Sequence, residues 1–118
     1  MHELSLSSAV LDTALRHAGG QSVKTVELTI GALRQVVSSS LEFYWEIVSR
    51  ETPCEGARLE LNMVEARVRC KACETEWTLD DPIFRCPSCE DSDVEVLTGT
   101  EFFVESIDVE EEACTVRE

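Results

Sequence analysis

Hydrophobic residues recur at helical spacing in two segments of the chain. In residues 5–18, one face collects apolar side chains before Gly19 and Gly20 end the pattern. That face consists of Val10, Leu11, Ala14, Leu15 and Ala18. The second segment, SSSLEFYWEIVSRETP, carries the stripe Leu41, Tyr44, Trp45 and Val48. Its Ser39 and Glu42 fit a capping box, and Pro53 is expected to close it, so the pattern predicts two amphipathic helices.

Alternating apolar and polar residues predict three strands. Residues 23–30 place Val26, Leu28 and Ile30 on one side, and residues 57–63 alternate in the same way. The third strand, within TGTEFFVESIDVE, changes phase near Glu105, which suggests a bulge or a change of face. A single strand cannot bury its apolar side alone, so we expect this last strand to return to the sheet formed earlier in the chain.

These elements predict an α+β fold. Two helices pack on a small three-stranded mixed sheet, and a zinc-ribbon-like four-cysteine domain is inserted before the last strand. The expected domains are residues 1–66, residues 67–97, which hold the cysteines, and residues 98–118, which contain the returning strand and an acidic tail.

Four of the six cysteines form two CxxC pairs twelve residues apart. They are Cys70, Cys73, Cys86 and Cys89. Each pair can turn two thiolates toward one point, and four soft ligands suit a tetrahedral structural zinc site with no open position for a substrate. Iron held by four thiolates remains open, whereas a redox pair would normally lie in a βαβ context that is absent here. Cys54 and Cys114 have no CxxC partner and are interpreted as incidental thiols.

The acidic composition restricts the class of partner. The chain has 24 acidic against 10 basic residues, a formal net charge of −14, which argues against nucleic acid as a partner. No segment reaches the roughly 20 apolar residues of a membrane span. No leader pattern follows Met1, so we expect a cytoplasmic protein with reduced thiols.

The amino terminus begins Met1-His2-Glu3, and bulky His2 should prevent removal of Met1. The Met1 amine, the His2 amide nitrogen and the His2 imidazole can then form two fused chelate rings around Ni(II) or Cu(II). The open alternatives are that His2 is a polar residue on a frayed terminus and that Glu3 only offsets a helix dipole. His17 is the other histidine, and its helical spacing of about four turns from His2 keeps the two from sharing one ion in the same subunit unless the terminus folds back.

Six fragments in order resemble the HypA/HybF family of nickel chaperones over nearly the whole chain. They are the MHE start, LTIGALRQV, SLEFYWEIV, ETPCEGARLEL, the double CxxC and TGTEFFVESIDV. The resemblance implies that Met1, His2 and Glu3 hold Ni²⁺ as cargo and that the four paired cysteines hold structural Zn²⁺. It also implies two partners, a nickel-insertion GTPase and the immature large subunit of [NiFe] hydrogenase.

The favoured function is therefore delivery of Ni(II) during hydrogenase maturation, without catalysis. A homodimer is compatible with the sequence. The alternative is a zinc-ribbon module that binds other proteins and carries no nickel. A nucleic-acid-binding ribbon ranks third, because Lys and Arg are few. An enzyme ranks last, since two distant histidines do not assemble a nucleophile, a base and an orienting group.

Overall fold

The computed structural model of the chain describes residues 2–79, 84–109 and 113–118, apart from the side chains of His2 and Ala113. Its elements are, in order, α1 (His2–Ala18), β1 (Val23–Gly31), a 3-10 turn (Ala32–Arg34), α2 (Ser38–Val48), β2 (Arg58–Val64), β3 (Arg67–Cys70), β4 (Glu76–Thr78), β5 (Val94–Thr98), β6 (Phe102–Val109) and β7 (Ala113–Thr115). The predicted α+β class with an inserted cysteine module is confirmed.

The chain divides into two compact units. The helical unit comprises Met1–Thr29, Val36–Asn62 and Phe102–Glu118, and the cysteine unit comprises Ile30–Gln35 and Met63–Glu101. Among the helices in the described ranges, none combines the length and apolar content that a bilayer crossing requires.

Helix α1 contacts both α2 and β6, and its buried face carries small side chains. Val10, Ala14 and Ala18 are almost fully buried, whereas Leu11 and Leu15 of the predicted stripe are only half-buried. Small residues let two helices approach closely, and the buried Ser7 hydroxyl donates a hydrogen bond to the Leu41 carbonyl at 3.1 Å. The contact joins α1 directly to the backbone of α2. Helix α1 begins at His2, one turn earlier than the sequence pattern predicted.

The predicted capping box of α2 is wrong. Ser39 and Glu42 both lie inside the helix, whose N-cap is Val37, a residue with no side-chain hydrogen bond to offer. The Val37 amide instead donates a hydrogen bond to Glu3 Oε2 at 3.3 Å, and this carboxylate lies 34 positions earlier in the chain. An acidic group near a helix N-terminus also offsets the helix dipole, so a long-range contact takes the place of the local cap. Pro53 does not close this helix either, since α2 ends at Val48.

The helical unit contains a four-stranded sheet in the order β2-β1-β6-β7. Val26, Leu28 and Ile30 of β1 are 0–1% exposed, and burial of each contributes roughly 1.5–3 kcal/mol. Strand β6 lies next to β1, which confirms that the late strand returns to the earlier sheet. Its buried positions are Val104, Ile107 and Val109, and they show the predicted change of phase.

The prediction of three strands in this sheet was one strand short, because β7 lies in what the sequence suggested was an acidic tail. Strand β7 pairs antiparallel with β6, with Cys114 opposite Ile107. Beyond the strand, the amide of Glu118 donates to the Val104 carbonyl and the amide of Val104 donates to the Glu118 carbonyl. The Glu118 side chain adds contacts with α1, lying 2.9 Å from Arg16 Nη2 and 2.5 Å from His17 Nε2.

The cysteine unit has its own antiparallel sheet in the order β4-β3-β5. Ala66, Val68 and Leu79 form its small core, and Leu33 and Trp77 pack against them. Of the other apolar residues near the cysteines, Phe84 is exposed and Ile83 lies outside the described residues. Leu33 joins this core because the turn after β1 belongs to the cysteine unit.

Gly31 is required where the turn after β1 meets the loop between β5 and β6. The Gly31 amide donates to the Glu101 carbonyl at 2.7 Å, and the Leu33 amide donates to the Gly99 carbonyl at 2.8 Å. A Cβ atom at Gly31 would lie 2.1 Å from the Gly99 carbonyl carbon. Only a residue without a side chain permits this approach.

We therefore expect Gly31→Ala to destabilise the zinc-loaded protein by about 3 kcal/mol, because backbone atoms must move to admit the methyl group. Gly19→Ala is the matched control. Gly19 has a φ of +59° and open space at the Cβ position, so only conformational strain of about 1 kcal/mol is expected. Urea unfolding followed by tryptophan fluorescence measures both, and equal losses would contradict the close contact.

The contacts of Glu118 make docking of the tail sensitive to acid. Hydrogen bonds from His17 and then Arg16 lower the pKa of the Glu118 carboxyl below its ordinary 4.5. A carboxyl group whose pKa is lowered by folding stabilises the folded state at pH values above 4.5. This stabilisation is lost as the pH falls through the folded-state pKa. We expect the amide NMR signals of β7 to shift in that acid range in the wild type and to lack this step in Glu118→Gln. An identical acid step in the variant would show that another group controls the tail.

Candidate metal centre

The four paired cysteines converge on one point in the cysteine unit. All four Sγ atoms of Cys70, Cys73, Cys86 and Cys89 lie within 4.8 Å of one another. Cys70 Sγ is 3.5 Å from Cys89 Sγ, and Cys73 Sγ is 3.5 Å from Cys86 Sγ. A tetrahedral site with Zn–S bonds of about 2.3 Å has edges of about 3.8 Å, so these distances fit one metal ion.

Both CxxC turns use the same backbone geometry. The amide of Glu74 donates to the Cys70 carbonyl, and the amide of Glu90 donates to the Cys86 carbonyl, each at 2.8 Å. Glu74 has a φ of +63° and Glu90 a φ of +61°, so the chain reverses at equivalent places. The repeated turn explains how two short, distant sequences each direct two sulfurs toward the same point.

The protein surrounds the sulfurs unevenly. Cys70 and Cys86 are fully buried, while Cys73 and Cys89, the second cysteine of each pair, are exposed. The amide of Ser88 donates to Cys86 Sγ at 3.4 Å, as expected for a sulfur that carries negative charge. One side of the cluster therefore packs into the unit, and the other faces the surface.

The thiols of the cluster also differ in acidity. Hydrogen bonds from the Thr75 side chain and backbone lower the pKa of Cys73 to about 6. A backbone hydrogen bond from Asp91 lowers the pKa of Cys89, but the adjacent Cys70 sulfur and desolvation outweigh it and raise the pKa to about 12. At neutral pH, Cys73 is therefore better prepared than Cys89 to meet a metal as a thiolate. Metal binding then displaces the proton that remains on Cys89.

The geometry fits a structural zinc site. Four thiolates fill the coordination sphere of a tetrahedral ion, which leaves no position for water or a substrate. Bound zinc would supply a fixed cross-link between the two CxxC turns, and Cys70, Cys73, Cys86 and Cys89 would hold it.

The remaining two cysteines lie elsewhere. Cys54 is buried in the turn before β2, and burial raises the pKa of its thiol to about 11. Cys114 lies on β7 and is partly exposed. Neither belongs to the four-sulfur cluster.

The predicted amino-terminal site is described only in part. Met1 and the side chain of His2 lie outside the described residues. Glu3 lies in the first turn of α1, is 6% exposed, and accepts the hydrogen bond from the Val37 amide. No local sequence pattern predicts this link to α2, because positions 3 and 37 lie far apart in the chain.

A family profile described as hydrogenase/urease nickel incorporation, metallochaperone, HypA matches residues 1–109. The chain belongs to this family. The match covers both the amino-terminal segment and the cysteine cluster. It confirms the resemblance found in the sequence, and the family and the cluster together account for nickel and zinc as the relevant metals.

Individual relatives support the assignment. Hydrogenase maturation factor HypA of Geotalea uraniireducens is 39% identical over 110 residues, which cover 93% of this chain and 100% of the relative. The factor of the same name from Dehalococcoides mccartyi strain BAV1 is 35% identical over 116 residues, 96% of this chain and 98% of the relative.

Solved structures show the same fold. The solution structure of the Ni metallochaperone HypA from Helicobacter pylori matches with a TM-score of 0.67 and 22% identity, covering 95% of this chain and 100% of that one. A second solution structure, titled HypA protein, matches with a TM-score of 0.68 at 22% identity and covers 95% of this chain and 98% of that one.

Removing one cluster sulfur should unfold the cysteine unit and spare the helices. In Cys73→Ala we expect loss of zinc by elemental analysis and loss of NMR dispersion from β3 to β5, while the helical circular dichroism signal is retained. Cys114→Ala removes a thiol outside the cluster and should keep zinc. Retention of one tightly bound zinc per chain in Cys73→Ala would show that the four sulfurs do not act as one site.

Proposed function

We propose that the protein carries Ni(II) and delivers it during assembly of the [NiFe]-hydrogenase active site. The observation that carries the proposal is the family match over residues 1–109, which includes the Met1-His2-Glu3 start. The proposed nickel donors are the Met1 amine together with the amide nitrogen and imidazole of His2. Glu3 completes the binding segment.

The position of this segment at a helix start favours such chelation. Nickel must displace the proton of the His2 amide, and this would be unfavourable if the N–H were part of a helix hydrogen bond. His2 is the first residue of α1, where amide groups have no intrahelical acceptor. The metal can therefore take this nitrogen without breaking a backbone hydrogen bond of the helix.

Glu3 connects the binding segment to the rest of the helical unit. Its buried carboxylate receives the Val37 amide at the beginning of α2. The carboxylate is held by the packed helices, which limits the freedom of the residue that follows the nickel donors. We infer that Glu3 positions the segment for binding and that release requires rearrangement of only the first residues.

The zinc cluster has the opposite properties. It is closed and belongs to the cysteine unit, whereas the nickel segment belongs to the helical unit. We infer that zinc is permanent and that nickel is exchanged. The recipients would be the nickel-insertion GTPase and the hydrogenase large subunit, met in the cytoplasm, and the protein itself would perform no catalysis.

Nickel binding by zinc-loaded protein with a native amino terminus tests this function. By calorimetry, we expect His2→Ala to abolish specific binding, because it removes the imidazole that closes the second chelate ring, and to leave one zinc per chain. His17→Ala, which removes the other histidine, should bind nickel like the wild type. Glu3→Gln keeps an acceptor for the Val37 amide but removes a charge, and we expect weakened binding with α2 intact.

Two results would contradict the proposal. Equal nickel binding by the wild type and His2→Ala would place the site elsewhere. Absence of specific binding by both would favour the zinc-ribbon interaction module.

A further inference from the structure

A groove in the helical unit has no role in either metal site. It lies between α2 and the start of β2 and has a volume of about 310 Å³. The α2 side is formed by Glu42, Trp45, Glu46 and Ser49, and the β2 side by Gly56, Ala57, Arg58 and Leu59. The groove is large enough to receive one or two side chains from another molecule.

Strand β2 is the outer strand of its sheet beside this groove. The strand order places β1 on one side of β2 only. Among the residues that the structure describes, no other segment pairs its backbone with the outer edge of β2. An edge strand directs the N–H and C=O groups of alternate residues outward, where an added strand can bind them.

The groove has an apolar floor, and its rim carries two glutamates on the α2 side and Arg58, paired with Glu60, on the β2 side. Trp45 is 4% exposed and Leu59 is 8% exposed, and the Trp45 indole Nε1 donates to the Ala57 carbonyl at 2.9 Å. This hydrogen bond fixes the indole ring as part of the floor. Glu42 and Glu46 are exposed one helical turn apart on the α2 side. The contact of Glu46 with Arg50 spans 3.7 Å between two highly exposed side chains and contributes little.

We propose that β2 and this groove bind an extended basic segment of a partner protein by strand addition. The segment's backbone would pair with the outer edge of β2. One apolar side chain would enter the groove over Trp45, and Lys or Arg side chains beside it would meet Glu42 and Glu46.

Charge selects this occupant over a second copy of the same chain. Edge-to-edge pairing of two β2 strands would bring together two molecules that each carry a formal charge of −14. Like charges at an interface disfavour association, whereas a basic segment gains attraction both from the rim and from the whole acidic molecule. The proposal does not depend on nickel binding, so each can fail without the other.

A defined probe for the test is the peptide acetyl-Thr-Lys-Thr-Leu-Thr-Lys-Thr-amide, added to the zinc-loaded full chain. We expect NMR shifts at the amides of β2 and at the indole N–H of Trp45, with smaller changes at Trp77. The same peptide with Asp in place of both lysines should not bind. Absence of shifts at β2 and at Trp45 with the lysine peptide would overturn the proposal.

Backbone methylation tests strand addition itself. Two versions of the peptide carry N-methyl groups at either its odd or its even residues. Because an added strand uses alternate N–H groups, one version should lose binding at least tenfold and the other should keep it. Equal binding by both versions, or equal loss, would contradict pairing with the edge of β2.

A matched pair of double variants tests the two glutamates of the rim. Glu42→Gln with Glu46→Gln should raise the dissociation constant roughly three- to thirtyfold, the range expected for two exposed ion pairs. Asp12→Asn with Glu65→Gln changes the net charge equally at exposed positions that do not line the groove, and it should have a much smaller effect. If both double variants weakened peptide binding equally, the attraction would come from net charge alone, which would contradict the role proposed for Glu42 and Glu46.

Sedimentation of the free protein tests the remaining candidate occupant of the groove, a second copy of the same chain. We expect the wild type to form no dimer through the groove. The double variant Glu42→Lys with Glu46→Lys should therefore sediment like the wild type. A concentration-dependent dimer whose β2 amides are protected, together with failure of the peptide to reach β2, would assign the groove to a second copy and overturn the proposal.

Discussion

The four sulfurs of the cysteine cluster, once deprotonated, repel one another unless a cation lies between them. They are drawn within 4.8 Å of one another, and two of them are fully buried. Among the residues that the structure describes, the core of this unit consists of Ala66, Val68 and Leu79, with Leu33 and Trp77 packed against it. So small a core does not offset the entropy of ordering three short strands. Metal binding and folding of β3 to β5 are consequently one event, and the zinc has to remain in place.

The helical unit obtains its order from apolar burial and therefore does not need the metal. Leu28, Leu41 and Ile107 are fully buried, and the helices contact each other through Ser7. A unit with such a core can expose an amino-terminal segment without losing stability. In the proposed function, nickel is bound and released at the start of α1, where the His2 amide has no intrahelical acceptor. The proposed division between a permanent and an exchangeable metal follows from this difference in cores.

Most of the features that the sequence predicted correctly depend on residues close together in the chain, and the return of β6 to the sheet of β1 is the exception. Each CxxC is a local turn, and the burial of Val10, Ala14 and Ala18 follows from helical spacing. The features it missed connect distant positions. Leu33 joins the core of the cysteine unit, Glu3 takes over the cap that Ser39 was expected to provide, and β7 is held by pairing with β6. Such contacts depend on where the fold brings each segment, which residue type and spacing do not encode. The nickel-binding role of Met1 and His2 rests on family resemblance and remains a prediction.

X-ray absorption at the nickel and zinc edges of one sample, measured before and after one equivalent of nickel is added, is the most direct test of two separate metals. We predict nickel surrounded by nitrogen and oxygen without sulfur, and zinc surrounded by four sulfurs before and after the addition. Sulfur in the nickel shell, or loss of sulfur from the zinc shell when nickel binds, would contradict the separation of cargo from structural metal.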